Sequence, residues 1–188
     1  MGQWIYLAGQ RMNTLMQLTF RTATPADIPQ LLALVTAAYR GDASRQGWTT
    51  EADFLDGQRI DAELLAADIA AANSLILLGE EAGKLIACAH VAVQHDAGYF
   101  GMFSVWPQLQ GQGIGKQMLL EAERIVREDF AQSLMRMQVI DLREELIAFY
   151  QRRGYQPTGQ YSPFPYGDTR FGTPKRKDLR FLILEKPL

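Results

Sequence analysis

The sequence is poor in the residues that build disulfides and metal clusters. One cysteine, Cys88, and two histidines, His90 and His95, occur in 188 residues. A single cysteine excludes an intrachain disulfide and fits a reducing cytoplasm, the expected location. So few thiols and imidazoles do not make a zinc cluster, and no metal is expected. An excess of basic charge is missing as well. Lysine and arginine number 19 against 21 acids, for a net charge of −2, which leaves no electrostatic footprint for nucleic acid. No apolar run approaches the roughly 18 residues of a membrane span, so no membrane partner is expected. Internal repeats and low-complexity tracts are also absent. What is present is an apolar fraction of 47% and a charged fraction of 21%, the balance of an ordinary globular domain with a substantial core.

Residues 1–17 contain a short apolar piece, Trp4 to Ala8. It lacks the charged start, longer apolar core and cleavage site of a secretory signal. It reads as an extension ahead of one domain over residues 18–188.

The informative stretch is Val105-Trp106-Pro107-Gln108-Leu109-Gln110-Gly111-Gln112-Gly113-Ile114-Gly115-Lys116. Tyr99 to Val105, aromatic and apolar, predicts a buried strand before it. Gln117 to Phe130 predicts a helix after it, with Ile114, Met118, Ala122, Ile125 and Val126 at helical spacing. Strand, glycine turn and helix together aim backbone N–H groups and a helix N-terminus at one point, where a phosphate is stabilised. A P-loop is excluded, because the positions it needs as glycine and hydroxyl are Gln110 and Gln117. The dinucleotide fingerprint fails at Lys116, where a third glycine belongs.

The rest of the chain reads as follows. Leu18 to Thr22 is a strand. Thr24-Pro25-Ala26-Asp27 starts a helix to Tyr39, with a hydroxyl cap, proline in the first turn and an early acid. Arg40 to Gln58 is a loop with a helical turn from Thr50, and Asp61 to Ala72 is a second helix. Strands Leu75–Leu78 and Leu85–Val93 flank a turn at Glu80 to Gly83, and His95 to Gly98 is another turn. Leu134 to Ile140 is a strand. Arg143 to Arg153 is a helix stopped by Gly154. Extended structure resumes at Tyr155, a long loop spans Ser162 to Lys177, and Leu179 to Leu184 is the last strand.

Gln110, Gly113 and Gly115, after a strand ending Val-x-Pro, form a Gln-x-x-Gly-x-Gly turn that resembles the acyl-CoA pyrophosphate loop of the GNAT N-acetyltransferase superfamily. Phe149-Tyr150-Gln151-Arg152-Arg153-Gly154-Tyr155 resembles the family's Phe-Tyr-x-x-x-Gly-Phe block, with Tyr155 for the usual phenylalanine. Gly47 to Glu51 and Phe164 to Asp168 are similar to the Gly-Trp-Thr-Thr-Glu and Phe-Pro-Tyr-Gly-Asp loops of an uncharacterised subgroup. The resemblance implies an α/β fold, a mixed, mostly antiparallel sheet flanked by helices. It implies acetyl-CoA as co-substrate and a primary amine, of a small molecule, as acceptor.

By resemblance, backbone groups of Phe103 and Val105 pair with the pantetheine arm. The turn Gln110, Gly111, Gln112, Gly113, Ile114, Gly115 and Lys116 holds the pyrophosphate through its N–H groups, with Lys116 adding charge. Tyr150 matches the tyrosine that faces the CoA sulfur and can protonate or hydrogen-bond the leaving thiolate; Phe149 then points elsewhere. Where relatives carry a glutamate on the central strand stands Tyr99, and Asp141 replaces a common asparagine. No general base is evident. Glu51 and Asp53 are candidates whose alternative is a solvated loop acid, and His90 reads as a core histidine. Tyr39, Trp48, Glu51 and Tyr99 together with Phe164 and Tyr166 are candidates for an aromatic acceptor pocket. Arg40, Arg45 and Arg59 either recognise an acceptor carboxylate or are surface charges. Three alternatives stay open: another acyl group, another acceptor atom, or a silent acyl-CoA-binding module. A homodimer through exposed strand edges is compatible with this reading.

Overall fold

The computed structural model describes residues 16–188; the expected extension, 1–17, falls almost wholly outside them. β1 (Thr19–Thr22) leads through a single 3₁₀ turn, Pro25–Asp27, into α1 (Ile28–Tyr39). The Asp27 carboxylate accepts the Thr24 N–H at 2.7 Å and pairs with Arg21, satisfying an otherwise orphaned donor of the helix start. The expected loop 40–58 contains a short helix, α2 (Gly41–Ser44), and a two-residue strand, β2 (Leu55–Asp56). α3 (Ala62–Ala70) is capped by the Asp61 side chain, which accepts from the Leu64 N–H at 2.8 Å.

Hairpin strands β3 (Ser74–Glu81), β4 (Lys84–Gln94) and β5 (Ala97–Val105) follow. The β3–β4 turn runs through Ala82 and Gly83 at φ 48° and 75°, the primed geometry that matches strand twist. α4 (Ile114–Arg124) starts at the first residue of its apolar pattern, three before the expected Gln117, because Gly113 at φ 80° caps it in the left-handed region. It runs on as a wider π turn over Ile125–Asp129. β6 (Leu134–Ile140), α5 (Glu144–Gln151), β7 (Gln156–Pro163), β8 (Thr173–Pro174) and β9 (Arg180–Pro187) complete the described chain.

Seven strands make one sheet in the order β1-β3-β4-β5-β6-β9-β7, antiparallel throughout except between β5 and β6. Alternation along the strands feeds two cores. Ile76, Leu78 and Cys88 pack with Leu31, Leu34 and Val35 of α1 and Leu65 of α3. Their neighbours Leu77, Ala87 and Ala89 pack with Met118 and Ala122 of α4 and with Leu146 of α5. Tyr155 has its reason here: its buried hydroxyl donates to Glu123 Oε1 at 3.0 Å, and Glu123 pairs with Lys186 at 2.8 Å.

Two features open the sheet at its centre. β5 and β6 pair only at Gly98↔Met135 and Tyr99↔Arg136, so among the described residues the rest of β5 has no partner on β6. On the other side the β4–β5 register shifts between Cys88 and His90. Cys88 faces Ser104 and His90 faces Gly101, so two residues, Met102 and Phe103, stand against Ala89 alone. This is a β-bulge, and Met102 takes φ 50° within it. Such bulges re-aim side chains and bend the strand, here beside the gap.

Candidate active site

The gap between β5 and β6 connects three cavities. The first, about 440 Å³, lies at the C-terminal end of β5 and is bordered by Gly113, Gly115, Phe103, Val105, Phe149 and Tyr150. A narrow wedge of about 50 Å³ lies between the strands, bordered by Tyr99, Met102, Val139, Ile140 and Tyr150. Beyond it a third cavity, again about 440 Å³, is walled by Leu55, Ile140, Phe164, Phe171 and Phe181, with Arg59 and Tyr99 on its border.

The first cavity carries an anion cradle. Gly111 and Gly113 turn at φ 82° and 80°. Among the described residues the N–H groups of Gly111, Gln112, Gly113, Ile114 and Gly115 donate to no protein acceptor. Gly115 is tight: a Cβ there would lie 3.2 Å from Phe149 Cζ and 3.4 Å from Phe103 Cζ. Gln110 differs from its expected role. Its N–H is spent on the Pro107 carbonyl. Its side chain accepts from the Trp48 N–H at 3.1 Å and donates to Val105 O at 3.3 Å. Gln110 therefore ties the 47–48 loop to the end of β5. Lys116 borders the cavity, and so do Arg143, Arg152 and Arg153. These three arginines were not among the expected site residues; arginines at both ends of the predicted helix were the available signal.

The Trp106 N–H donates to Ile86 O. Alternation along an antiparallel ladder then turns the Val105 N–H away from β4, toward the gap. The Phe103 carbonyl on that side accepts the Tyr39 hydroxyl at 2.9 Å. Burial pushes the Tyr39 phenol up to about 12, so this donor stays protonated at neutral pH.

Tyr150 borders both the first cavity and the wedge, and its hydroxyl is not among the sealed, unpartnered polar atoms. Burial pushes its phenol far above the ordinary value of 10. Phe149 does not point elsewhere, as expected from helix geometry, but borders the same cavity. A cavity spanning the helix edge takes neighbours about 100° apart.

Four further expectations are corrected. Glu51 is not a solvated acid: it is 6% exposed and accepts from Arg40 at 2.7 Å and Arg143 at 2.9 Å, with Arg59 at 4.0 Å. Burial pushes its carboxyl upward, but Arg143, Arg59 and Arg40 outweigh that and hold it below the usual 4.5. A carboxylate so engaged is a poor base. Arg40, 5% exposed, is no surface charge. Trp48 borders the first cavity and neither the wedge nor the third, its ring 5.6 Å from Phe149. Tyr166 borders neither the wedge nor the third cavity; its hydroxyl accepts the Leu179 N–H at 2.7 Å and pins the loop. The two loops do meet, through a β2–β8 ribbon pairing Leu55 with Pro174 and Asp56 with Thr173. Phe164, 4% exposed, and Tyr99 do border the third cavity. His90 bonds Ser74 at 2.9 Å, and Asp53 pairs with Arg45 on the surface.

Two expected results follow from the corrections. Trp48→Ala should weaken acetyl-CoA binding about tenfold, the equivalent of roughly 1.4 kcal/mol. Tyr166→Ala should leave that binding alone and lower the melting temperature by about 2–4 °C per kcal/mol lost. In the double mutant the stability effects should add within roughly 0.3–0.5 kcal/mol. Calorimetry and thermal melts on the three variants check this. For Glu51, a carboxyl with a lowered folded pKa adds stability above its ordinary value, and that stability is lost as pH falls through the folded value. The melting temperature should therefore drop below pH 4.5, less steeply in Glu51→Gln. Glu51→Ala, which strands buried arginines, should cost about 3–5 kcal/mol by urea titration.

The split between β5 and β6, the bulge and the glycine turn define the fold of acyl-CoA-dependent N-acetyltransferases of the GNAT type. Residues 72–157 match the family model described as Acetyltransferase (GNAT) domain. It is similar to the ribosomal-protein-alanine N-acetyltransferase of Brucella melitensis (19% identity, 91% of this chain and 100% of that one, TM-score 0.67). It is also similar to the ribosomal-protein-S18-alanine N-acetyltransferase of Escherichia coli (16%, 91% and 94%, TM-score 0.65). A third likeness is to yncA of Salmonella typhimurium, solved with its cofactor acetyl-CoA (17%, 92% and 94%, TM-score 0.66). No curated protein matches the chain.

Proposed function

We propose that the chain transfers the acetyl group of acetyl-CoA to the primary amine of a small molecule, by direct attack with both substrates bound. The observation that carries this reading is the run of five undonated N–H groups, Gly111 to Gly115, of whose residues all but Gln112 line the cavity where β5 leaves β6. An array of free N–H groups at a helix start suits a pyrophosphate, and Lys116, Arg152 and Arg153 on the border of the same cavity supply countercharge. The unpaired edge of β5 suits an extended pantetheine arm as an added strand.

The residues of the gap then divide the chemistry. The Val105 N–H faces the side where a thioester carbonyl gains charge, the role of an oxyanion donor. As the amine nitrogen bonds the carbonyl carbon and the carbon–sulfur bond breaks, Tyr150 donates a hydrogen bond to the departing sulfur. A phenol held above its usual value is a weaker acid than a thiol of about 8.5, so it hydrogen-bonds the thiolate without surrendering its proton outright. The amine's own proton leaves to water, since the position of the family glutamate is Tyr99. Titrating the protein with acetyl-CoA, then following thiol release across a panel of amines, tests the reading. Acetyl-CoA binding without release from any acceptor would favour the silent binding module.

A further inference from the structure

We propose that the third cavity accepts an amine that also carries a carboxylate, an apolar amino acid or short amino-carboxylic acid, and that Arg59 recognises the carboxylate. The inference rests on the acyltransferase reading and narrows its acceptor. Of the three arginines that could do this, the structure leaves one. Arg40 is buried against Glu51 and also donates to Phe171 O. Arg45 is on the surface with Asp53 at 2.7 Å. Arg59 borders both the wedge and the third cavity. Among the described residues its nearest carboxylate oxygen, on Glu51, stands at 4.0 Å, and its nitrogens are not among the sealed, unpartnered atoms. Its guanidinium lies 5.1 Å over the Tyr39 ring. Among the described residues it donates no hydrogen bond to the protein, so its planar fork of N–H donors is left for a ligand, and such a fork fits a carboxylate with two parallel bonds.

The charge around it selects against cations. Glu51 is the only acid bordering the wedge or the third cavity among the described residues, and Arg40 and Arg143 occupy its two oxygens. Three arginines against one carboxylate leave a surplus of positive charge. Asp68, whose charge also reaches Arg59, borders neither space and sits 3.6 Å from His90. A polyamine finds no free counterion here. Leu55, Ile140, Phe164, Phe171 and Phe181 give an apolar body its walls. The amine end points to the wedge, where the Tyr99 ring lies along β5. Its hydroxyl comes so close over Gly101 that a Cβ there would meet it at 2.1 Å. Like charge nearby disfavours an ammonium, which helps supply the neutral nucleophile that a missing strand glutamate would otherwise prepare.

The test uses matched acceptors that differ only in the carboxylate: L-phenylalanine with 2-phenylethylamine, and L-leucine with 3-methylbutylamine, plus spermidine. Calorimetry on the full chain saturated with CoA reads binding, and thiol release from acetyl-CoA reads kcat and KM per neutral amine. Each amino acid should bind at least tenfold more tightly than its decarboxylated partner. The preference should fall to near unity in Arg59→Gln, chiefly through KM, and return in part in Arg59→Lys, with melts showing both variants folded. Three results would each overturn the proposal: equal or tighter binding of the decarboxylated amines or spermidine, a preference that survives Arg59→Gln, or no amino acid binding to the CoA-saturated protein. Failure to bind CoA and acetyl-CoA is a separate result, which removes the acyltransferase reading itself and this acceptor with it.

Discussion

Tyr150→Phe is expected to lower kcat roughly 10²- to 10³-fold, the worth of one donor aimed at developing charge. The ring is 4% exposed and packs edge-on against Phe149 and Tyr155 at 5.3 and 5.9 Å. Phenylalanine keeps those contacts and removes only an oxygen that bonds to no described protein atom. Fold and acetyl-CoA affinity should therefore change little. Because burial holds the phenol well above 10, the hydroxyl remains a donor across pH 7 to 10. A kcat profile should show no falling limb there from this group. Single-turnover kinetics, in which chemistry is isolated from product release, give the clean measurement. A mutant rate equal to the native one would remove Tyr150 from the reaction.

Gly115→Trp should abolish acetyl-CoA binding, by more than about 100-fold or roughly 2.7 kcal/mol, in a protein that still folds. Gly115 is the better test than Gly113. Gly113 sits at φ 80°, where any side chain strains the backbone, so loss of binding and loss of fold would be confounded. Gly115 lies in the first turn of α4, where a side chain is favoured over glycine by about 1 kcal/mol in helix propensity. Its Cβ would enter between Phe149 and Phe103, and an indole beyond it would fill the mouth of the cavity. Gly115→Ala, which asks those rings to give by a few tenths of an ångström, should be intermediate. Calorimetry beside thermal melts checks the series, and unchanged affinity in folded Gly115→Trp would end the cradle assignment.

Much of the fold was legible because its signals are local. Leu134 to Ile140 reads as a strand from its own alternation, and Gly154 at φ 93° ends α5 as a glycine must. The glycine turn was legible for the same reason: tight turns need glycine whatever surrounds them. Residues whose roles depend on distant partners were misread. Glu51 reads as a solvated loop acid until Arg40 and Arg143, 11 and 92 positions away, close on it. Trp48 and Tyr166 look like equivalent loop aromatics, yet one packs tilted against Phe149 beside the first cavity and the other anchors Leu179.

The sequence by itself determined the order of the main elements and the strand–turn–helix cradle. These depend on turn chemistry and periodicity, which act over a few residues. Only the tertiary structure decided which charges are free. Ion pairs are chosen by where helices and loops converge, and that convergence buried Arg40 against Glu51 while leaving the Arg59 edge open to a cavity.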